Sequence, residues 1–193
     1  MAELMVDVIT SLDGFSSAEG WPGLWGLGGP DYFAWLAEDG ARARTTLMGA
    51  TTYRLFTGFV ESGEEDLSDL TALDKVVFSS TLDEPLAWAN TRLVRGDAVE
   101  AVRAMKQDGE TPLRTIGSLS LCRALVAANL VDRFRVVVFP VVTGASGREH
   151  FYTGWPDIAL ETIDHRTFDG RLQLMEFVPT VLDRPPTSSA AHA

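Results

Sequence analysis

Three apolar, β-branched runs of this chain each stop at a turn that opens on Gly or Ser and carries no basic side chain. TTLM gives way to Gly49-Ala50-Thr51-Thr52, KVVF to Ser79-Ser80-Thr81, and LRTI to Gly117-Ser118-Leu119. The first and third turns lead into patterns with helical spacing. Strands that feed helices in this way bury their apolar faces as one α/β sheet, and ligands of such sheets sit at the carboxyl ends of the strands. Small residues there let the backbone approach a ligand, and the free N–H groups and hydroxyls can hold phosphate oxygens. Any one turn would serve equally as a plain helix cap. Three on one sheet favour a nucleotide.

The remaining segments fit the same sheet. LMVDVITS (Leu4 to Ser11) reads as a strand covered on both faces, followed by the Gly- and Trp-rich loop Gly14 to Gly29. Pro30 suits a first helical turn, with Tyr32, Phe33, Leu36 and Ala37 at helical spacing. Thr91 to Val94 is a short strand, and Asp97 with Glu100 forms a capping box before the face made by Ala98, Ala101, Val102 and Met105. Ser118 is placed to cap a helix whose Leu121, Ala124, Leu125 and Ala128 point one way. FRVVVF (Phe134 to Phe139), the most β-branched run, predicts a central strand. LETIDHRTF and RLQLMEF flank Asp169-Gly170, a hairpin signal. The expected fold is α/β: a mixed, mostly parallel central sheet flanked by helices, closed by a C-terminal antiparallel hairpin. One domain over residues 1–182 and a disordered tail over 183–193, DRPPTSSAAHA, complete the reading.

Composition removes several functions. A formal net charge of −11 without a run of Lys or Arg opposes nucleic acid and anionic membranes. No segment approaches the ~20 continuous apolar residues of a membrane span, and MAELMVDVITS lacks a basic leader, so a cytoplasmic protein is expected. The single cysteine, Cys122, lies at an apolar helical position and reads as a buried thiol. His150, His165 and His192 have no ligand spacing, so no metal is expected, and Ser11, Ser79 and Ser118 have no histidine tied to them. GLWGLGGPD lacks the third glycine of the dinucleotide fingerprint, and there is no P-loop.

SLDG (Ser11 to Gly14), LMGATTY (Leu47 to Tyr53), KVVFSSTL (Lys75 to Leu82), TIGS (Thr115 to Ser118) and NLVDRFRVVVFPVVTGASGREHF (Asn129 to Phe151) together resemble the dihydrofolate-reductase-like superfamily. The nearest branch is the reductase domain of the bifunctional riboflavin-biosynthesis deaminase/reductase with its stand-alone bacterial relatives. The resemblance runs in order to about Phe177.

It implies an NADPH-dependent reductase, commonly a homodimer, acting on a small heterocyclic or carbonyl compound. By position, Val8 and Ile9 would lie along the nicotinamide, Gly49, Ala50, Thr51, Thr52, Ser79, Ser80 and Thr81 near the adenosine phosphates, and Gly117, Ser118 and Leu119 under the pyrophosphate. Asp31 is the candidate catalytic and substrate-anchoring carboxylate, and Trp21 and Trp25 would wall a flat substrate from a mobile Gly14–Gly29 loop. Asp13 reads as structural. Pterins, ribosylaminopyrimidines and the double bonds of specialised metabolites all suit such a site. Ala50 stands where the family usually has arginine, Ser118 where it has a second glycine, and Arg133 where an acid is common. The 2′-phosphate is therefore expected to be held weakly unless Arg54, Lys75 or Arg95 reaches the turn. NADH or FMN as cofactor, or a catalytically silent nucleotide- or ligand-binding module, are the alternatives.

Overall fold

The structure is a computed structural model that describes residues 1–63 and 67–185. Residues 186–193, most of the expected tail together with His192, lie outside the described residues. Along the chain run β1 (Leu4–Ser11), β2 (Phe15–Ala18), α1 (Pro30–Gly40), β3 (Thr45–Gly49), α2 (Ala50–Ser62), α3 (Ser68–Ala72), β4 (Lys75–Phe78) and β5 (Thr91–Val94). Then follow α4 (Ala98–Asp108), β6 (Leu113–Thr115), α5 (Leu119–Ala127), β7 (Arg133–Phe139), β8 (Gly147–His150), β9 (Ile158–Phe168) and β10 (Leu172–Val181).

Eight strands form one sheet in the order β5-β4-β3-β6-β1-β7-β10-β9. The first six are mutually parallel, β10 runs antiparallel to β7, and β9 antiparallel to β10. FRVVVF is thus interior, between β1 and β10. The alternation of strand side chains divides the core. Leu4, Val6, Val8, Leu47, Val76 and Phe134 pack on one face with Leu121, Cys122 and Leu125 of α5. The other face holds Val137, Phe139 and Leu174 under Tyr32 of α1, and Met48 and Val77 beside Tyr53 of α2.

At the hairpin, Asp169 and Gly170 both have positive φ, 51° and 67°, as a type I′ turn requires. Asp169 has a second role: its carboxylate accepts the Asp31 and Tyr32 N–H groups at 3.0 and 3.2 Å, capping α1 from 138 and 137 residues away. Gly29 leaves the space, since a Cβ there would lie 2.3 Å from the Asp169 carboxyl carbon. Asp97 caps α4 through the Val99 and Glu100 N–H groups. Arg133 bridges Glu3 and Glu176, tying β1 and β10 to β7.

Two strands escape the sequence pattern. Phe15–Ala18, read above as loop, pairs antiparallel with Gly147–His150 as a separate two-stranded sheet. It is Ser-rich and short, and its partners lie far along the chain, from Phe15↔His150 to Ala18↔Gly147, so no local period marks it. The Phe15 ring covers Gly147, where a Cβ would sit 2.6 Å from the ring.

Candidate active site

β1 shares register with β6 only at Leu4↔Leu113 and Met5↔Arg114, although β1 runs on to Ser11. At Asp7 the backbone N–H has turned to Thr115 Oγ1, 3.2 Å away, and the strands part. On its other side β1 stays paired with β7 as far as Ser11↔Phe139. The gap between β1 and β6 is a crevice at the carboxyl ends of parallel strands, where the connections diverge to β3 on one side and β7 on the other.

Two of the three small-residue turns meet beside it. The Ser118 hydroxyl accepts the Gly49 N–H at 2.7 Å and donates to Thr52 Oγ1 at 2.8 Å. The expected capping of α5 by this side chain does not occur: Ser118 has φ 65° and turns its hydroxyl across to α2. Gly117 at φ 54° suits its left-handed backbone, and a Cβ there would crowd Thr52 Oγ1 at 3.1 Å. The hydroxyls of Ser118 and Thr52 are thus engaged with each other, while neither α2 nor α5 has a side-chain cap on its first turn. The leading amides of two helices are left for an anion.

The third turn lies at the end of β4, next to Gly49 through the pairing of Gly49 with Phe78. Ser79 Oγ accepts the Thr81 and Leu82 N–H groups at 3.0 and 3.1 Å and so shapes its own turn. Ser80 and Thr81 are exposed. Arg54 donates to Thr81 Oγ1 at 3.4 Å, and Arg95 to the Leu82 carbonyl at 2.7 Å. Lys75 does not reach this turn: its ammonium is buried against the carbonyls of Leu70, Thr71 and Leu73 and lies 4.8 Å from the Trp88 ring centroid.

The other sequence candidates differ widely in burial. Val8 packs in the main core, Ile9 on the α1 side beside Tyr32 and Trp25. Trp25 is 5% exposed and lies against Phe139, ring centroids 5.3 Å apart, whereas Trp21 is 43% exposed. Leu24 and Trp25 hold φ of 52° and 48°, a left-handed turn costly for side chains with a Cβ. Asp31 and Thr51 are exposed; Ala50 and Leu119 are half-buried. Asp13 braces the loop after β7 by accepting the Thr143 and Gly144 N–H groups. Burial works against its charge, but the Ser11 hydroxyl and these amides outweigh it and bring its carboxyl down to about 2. Cys122 is fully buried, and burial pushes its thiol up to about 12. Among the described residues no cluster of His, Cys, Asp or Glu could hold a metal, and no helix is long and apolar enough to cross a membrane.

Sequence reading missed the charged floor of the crevice. Asp39, 1% exposed at the end of α1, accepts from Arg44 at 2.8 and 2.9 Å, from Arg135 at 2.8 and 3.1 Å, and from Arg114 at 3.1 Å. Arg135 also grips Asp7 through two bonds of 3.0 and 2.6 Å and lies 4.9 Å from the Trp35 ring centroid. Three guanidiniums hydrogen-bond the two carboxylates, a fourth, that of Arg42, stands 3.7 Å from Asp39 at the surface, and Arg114 Nε has no partner among the described residues. The available signal was a charge inside three predicted strands: Asp7 in LMVDVITS, expected to be covered on both faces, Arg114 in LRTI, and Arg135 in FRVVVF, expected to be central. A buried charge has to be paired.

Residues 2–174 match the sequence model of the RibD C-terminal domain family. No curated protein sequence is significantly similar to the chain. Among solved structures, a protein of Shewanella sp. PV-4 assigned to riboflavin biosynthesis superposes with a TM-score of 0.69 at 20% identity, over 93% of this chain and 99% of its own. The diaminohydroxyphosphoribosylaminopyrimidine deaminase/5-amino-6-(5-phosphoribosylamino)uracil reductase of Thermotoga maritima gives 0.67 at 12% identity, over 93% of this chain and 57% of its own. Dihydrofolate reductase of Enterococcus faecalis, solved with NADP(H), gives 0.61 at 16% identity, over 92% and 96%. At these identities the likeness is one of fold.

Proposed function

Because the chain belongs to the RibD C-terminal domain family, we propose that it is a cytoplasmic, NADPH-dependent reductase of a small heterocyclic or carbonyl compound, formed by residues 1–182. The observation that carries this reading is the meeting of two uncapped helix starts, at Gly49 and Gly117, beside the crevice between β1 and β6. Free amides at both starts suit a pyrophosphate, and the small residues allow close approach. Arg54, Arg95, Ser80 and Thr81 would hold the adenosine 2′-phosphate, and Ile9 would flank the nicotinamide. When bound, the cofactor supplies the hydride. The chain's part is to orient the acceptor, keep water out and fix the ring faces.

Titration of the protein with NADPH, NADH and FMN, followed by tryptophan fluorescence, tests this. We expect saturable quenching by NADPH at micromolar concentration, reported by Trp25 and Trp21. Quenching by FMN alone would instead make the protein a flavin-using relative, and no response to any of the three would leave a silent module.

The assembly we propose is a homodimer. The β9–β10 hairpin outreaches β7, whose pairing with β10 ends at Phe177, and it carries Leu160, Ile163 and Val178 about two-fifths exposed on the sheet's outer edge. Long edge strands with exposed apolar side chains are usually covered. Light scattering at micromolar concentration should give twice the chain mass; a monomer rules the dimer out.

A further inference from the structure

A cavity of about 460 Å³ opens on the face of the sheet that carries α5, over the carboxyl ends of β1 and β7 and the β9–β10 hairpin. Its floor follows from the register. Thr10 pairs with Val138 and Val138 with Gln173, so the three side chains form one row on a single face, with Met175 in the next row. Tyr152 is the wall, its ring edge-on to Phe134 at 6.4 Å and to Phe151 at 5.3 Å. Gly14 closes the corner: at φ 84° its carbonyl accepts the Phe151 N–H at 2.8 Å, and a Cβ there would crowd His150 Nε2 at 3.1 Å. The cavity is thus preformed. Thr10 is 1% exposed, yet no described residue bonds its hydroxyl, and the oxygen is not sealed from the cavity that it lines. A hydroxyl buried this far normally has a partner. Gln173 Oε1 is taken twice, by the Thr167 hydroxyl at 3.0 Å and by His165 Nε2 at 2.9 Å, so its amide N–H groups are left to donate. Among the described residues no Asp, Glu, Lys or Arg lines the cavity.

We propose that this cavity is a binding site, separate from the crevice between β1 and β6, for a neutral and largely apolar compound with a carbonyl group, such as an aryl ketone. The Thr10 hydroxyl donates to the carbonyl, and the Gln173 amide offers a second donor toward the hairpin. Val138 and Met175 take the apolar body from below. Leu12, 66% exposed in the free protein, folds its side chain against the ligand from the rim. A charged ligand would give up its water there for no counter-charge, which the absence of ionised lining groups makes costly. Apolar walls with a few placed polar groups, at this volume, are the ordinary makeup of a small-molecule site. The inference goes beyond the reductase reading and does not depend on it.

Prodan, a neutral fluorescent naphthyl ketone, is the probe. In the wild type its emission should shift to the blue and saturate at one molecule per chain. Thr10→Val keeps the shape of the side chain and removes the donor, so it should weaken Prodan about fivefold. The same variant should leave the urea midpoint unchanged or raise it, because the hydroxyl has no partner in the free protein. Val138→Phe fills the floor and should abolish the saturable shift. Saturating NADP⁺ should leave the Prodan titration where it was. A wild type without a saturable shift overturns the proposal, as does a Thr10→Val protein that binds Prodan like its parent or unfolds at lower urea. Displacement of Prodan by NADP⁺ overturns it too, since the cavity would then belong to the crevice, and so does a folded Val138→Phe protein that binds as the wild type does.

Discussion

Asp39→Ala lowers the unfolding free energy by about 3–5 kcal/mol, the loss expected when one partner of a buried ion pair is removed and its counter-charges stay buried. For a chain of this size that corresponds to a fall in Tm of roughly 10 °C. Equilibrium urea unfolding followed by circular dichroism measures it, and a change under about 1 kcal/mol would show that the guanidiniums find water or other acceptors. The size of the effect follows from the count of partners. Among the described residues, Asp39 is the only carboxylate that bonds Arg44, Arg114 and Arg135 together. It also stands at the carboxyl end of α1, where the helix dipole disfavours a negative charge, so the three arginines offset that cost as well.

The pH dependence of this contribution has a definite sign. Burial alone would raise the Asp39 carboxyl; the hydrogen bonds and charges of Arg44 and Arg135 overcome it and hold the group well below the usual carboxylate range. A folded-state value below the unfolded one, about 3.9, gives stability that is complete above that unfolded value and is lost as pH falls through the folded one. The wild type should therefore keep this contribution unchanged between pH 5 and 8, within the range of about 5–8 where stability is usually greatest, and lose it only in strong acid. Asp39→Ala should remove that acid limb from the stability profile.

The fold was legible where physics is local. KVVF and TRLV are strands over the residues expected, because each is a β-branched run bounded by turn residues, and Asp169-Gly170 made its hairpin because both positions tolerate positive φ. What escaped is non-local. Asp169 caps α1 only once the hairpin has folded back on it, and β2 exists only through β8. Ser118 is a sound cap by composition, but the left-handed backbone at Gly117-Ser118 sends its hydroxyl to Gly49 instead. The paired reading of Trp21 and Trp25 treated them as one wall, whereas the strained turn at Leu24 drives Trp25 inward and leaves Trp21 outside. The charged floor draws on α1, β1, β6 and β7 and the residues just after α1. No window of the sequence contains it.

Replacing Arg54 and Arg95 together by alanine should weaken NADPH binding by roughly 100-fold and change NADH binding less than about threefold. Ala50 puts no cation at the start of α2, so any charge-assisted partner of a 2′-phosphate has to come from elsewhere. Arg54 lies one helical turn beyond Ala50 and reaches Thr81, and Arg95 reaches the same turn from the end of β5. Both residues are exposed and keep N–H groups beyond those bonds with which to take a phosphate, and a charge-assisted bond is worth about 1.5–3 kcal/mol, or roughly 10- to 150-fold. Arg95 also bonds backbone carbonyls of the turn, so Arg95→Ala alone loosens Ser80 as well; Arg54→Ala tests the charge more cleanly and should cost NADPH about tenfold. Solvent screens contacts of this kind, and raising the salt should narrow the gap between the two cofactors in the wild type but not in the double variant. Ala50→Arg adds a third guanidinium at the start of α2 and should tighten NADPH selectively. Should the double variant bind NADPH as the parent does while NADPH still quenches Trp25, the 2′-phosphate lies away from the Ser79 turn, and the small residues after β4 are only the end of a strand.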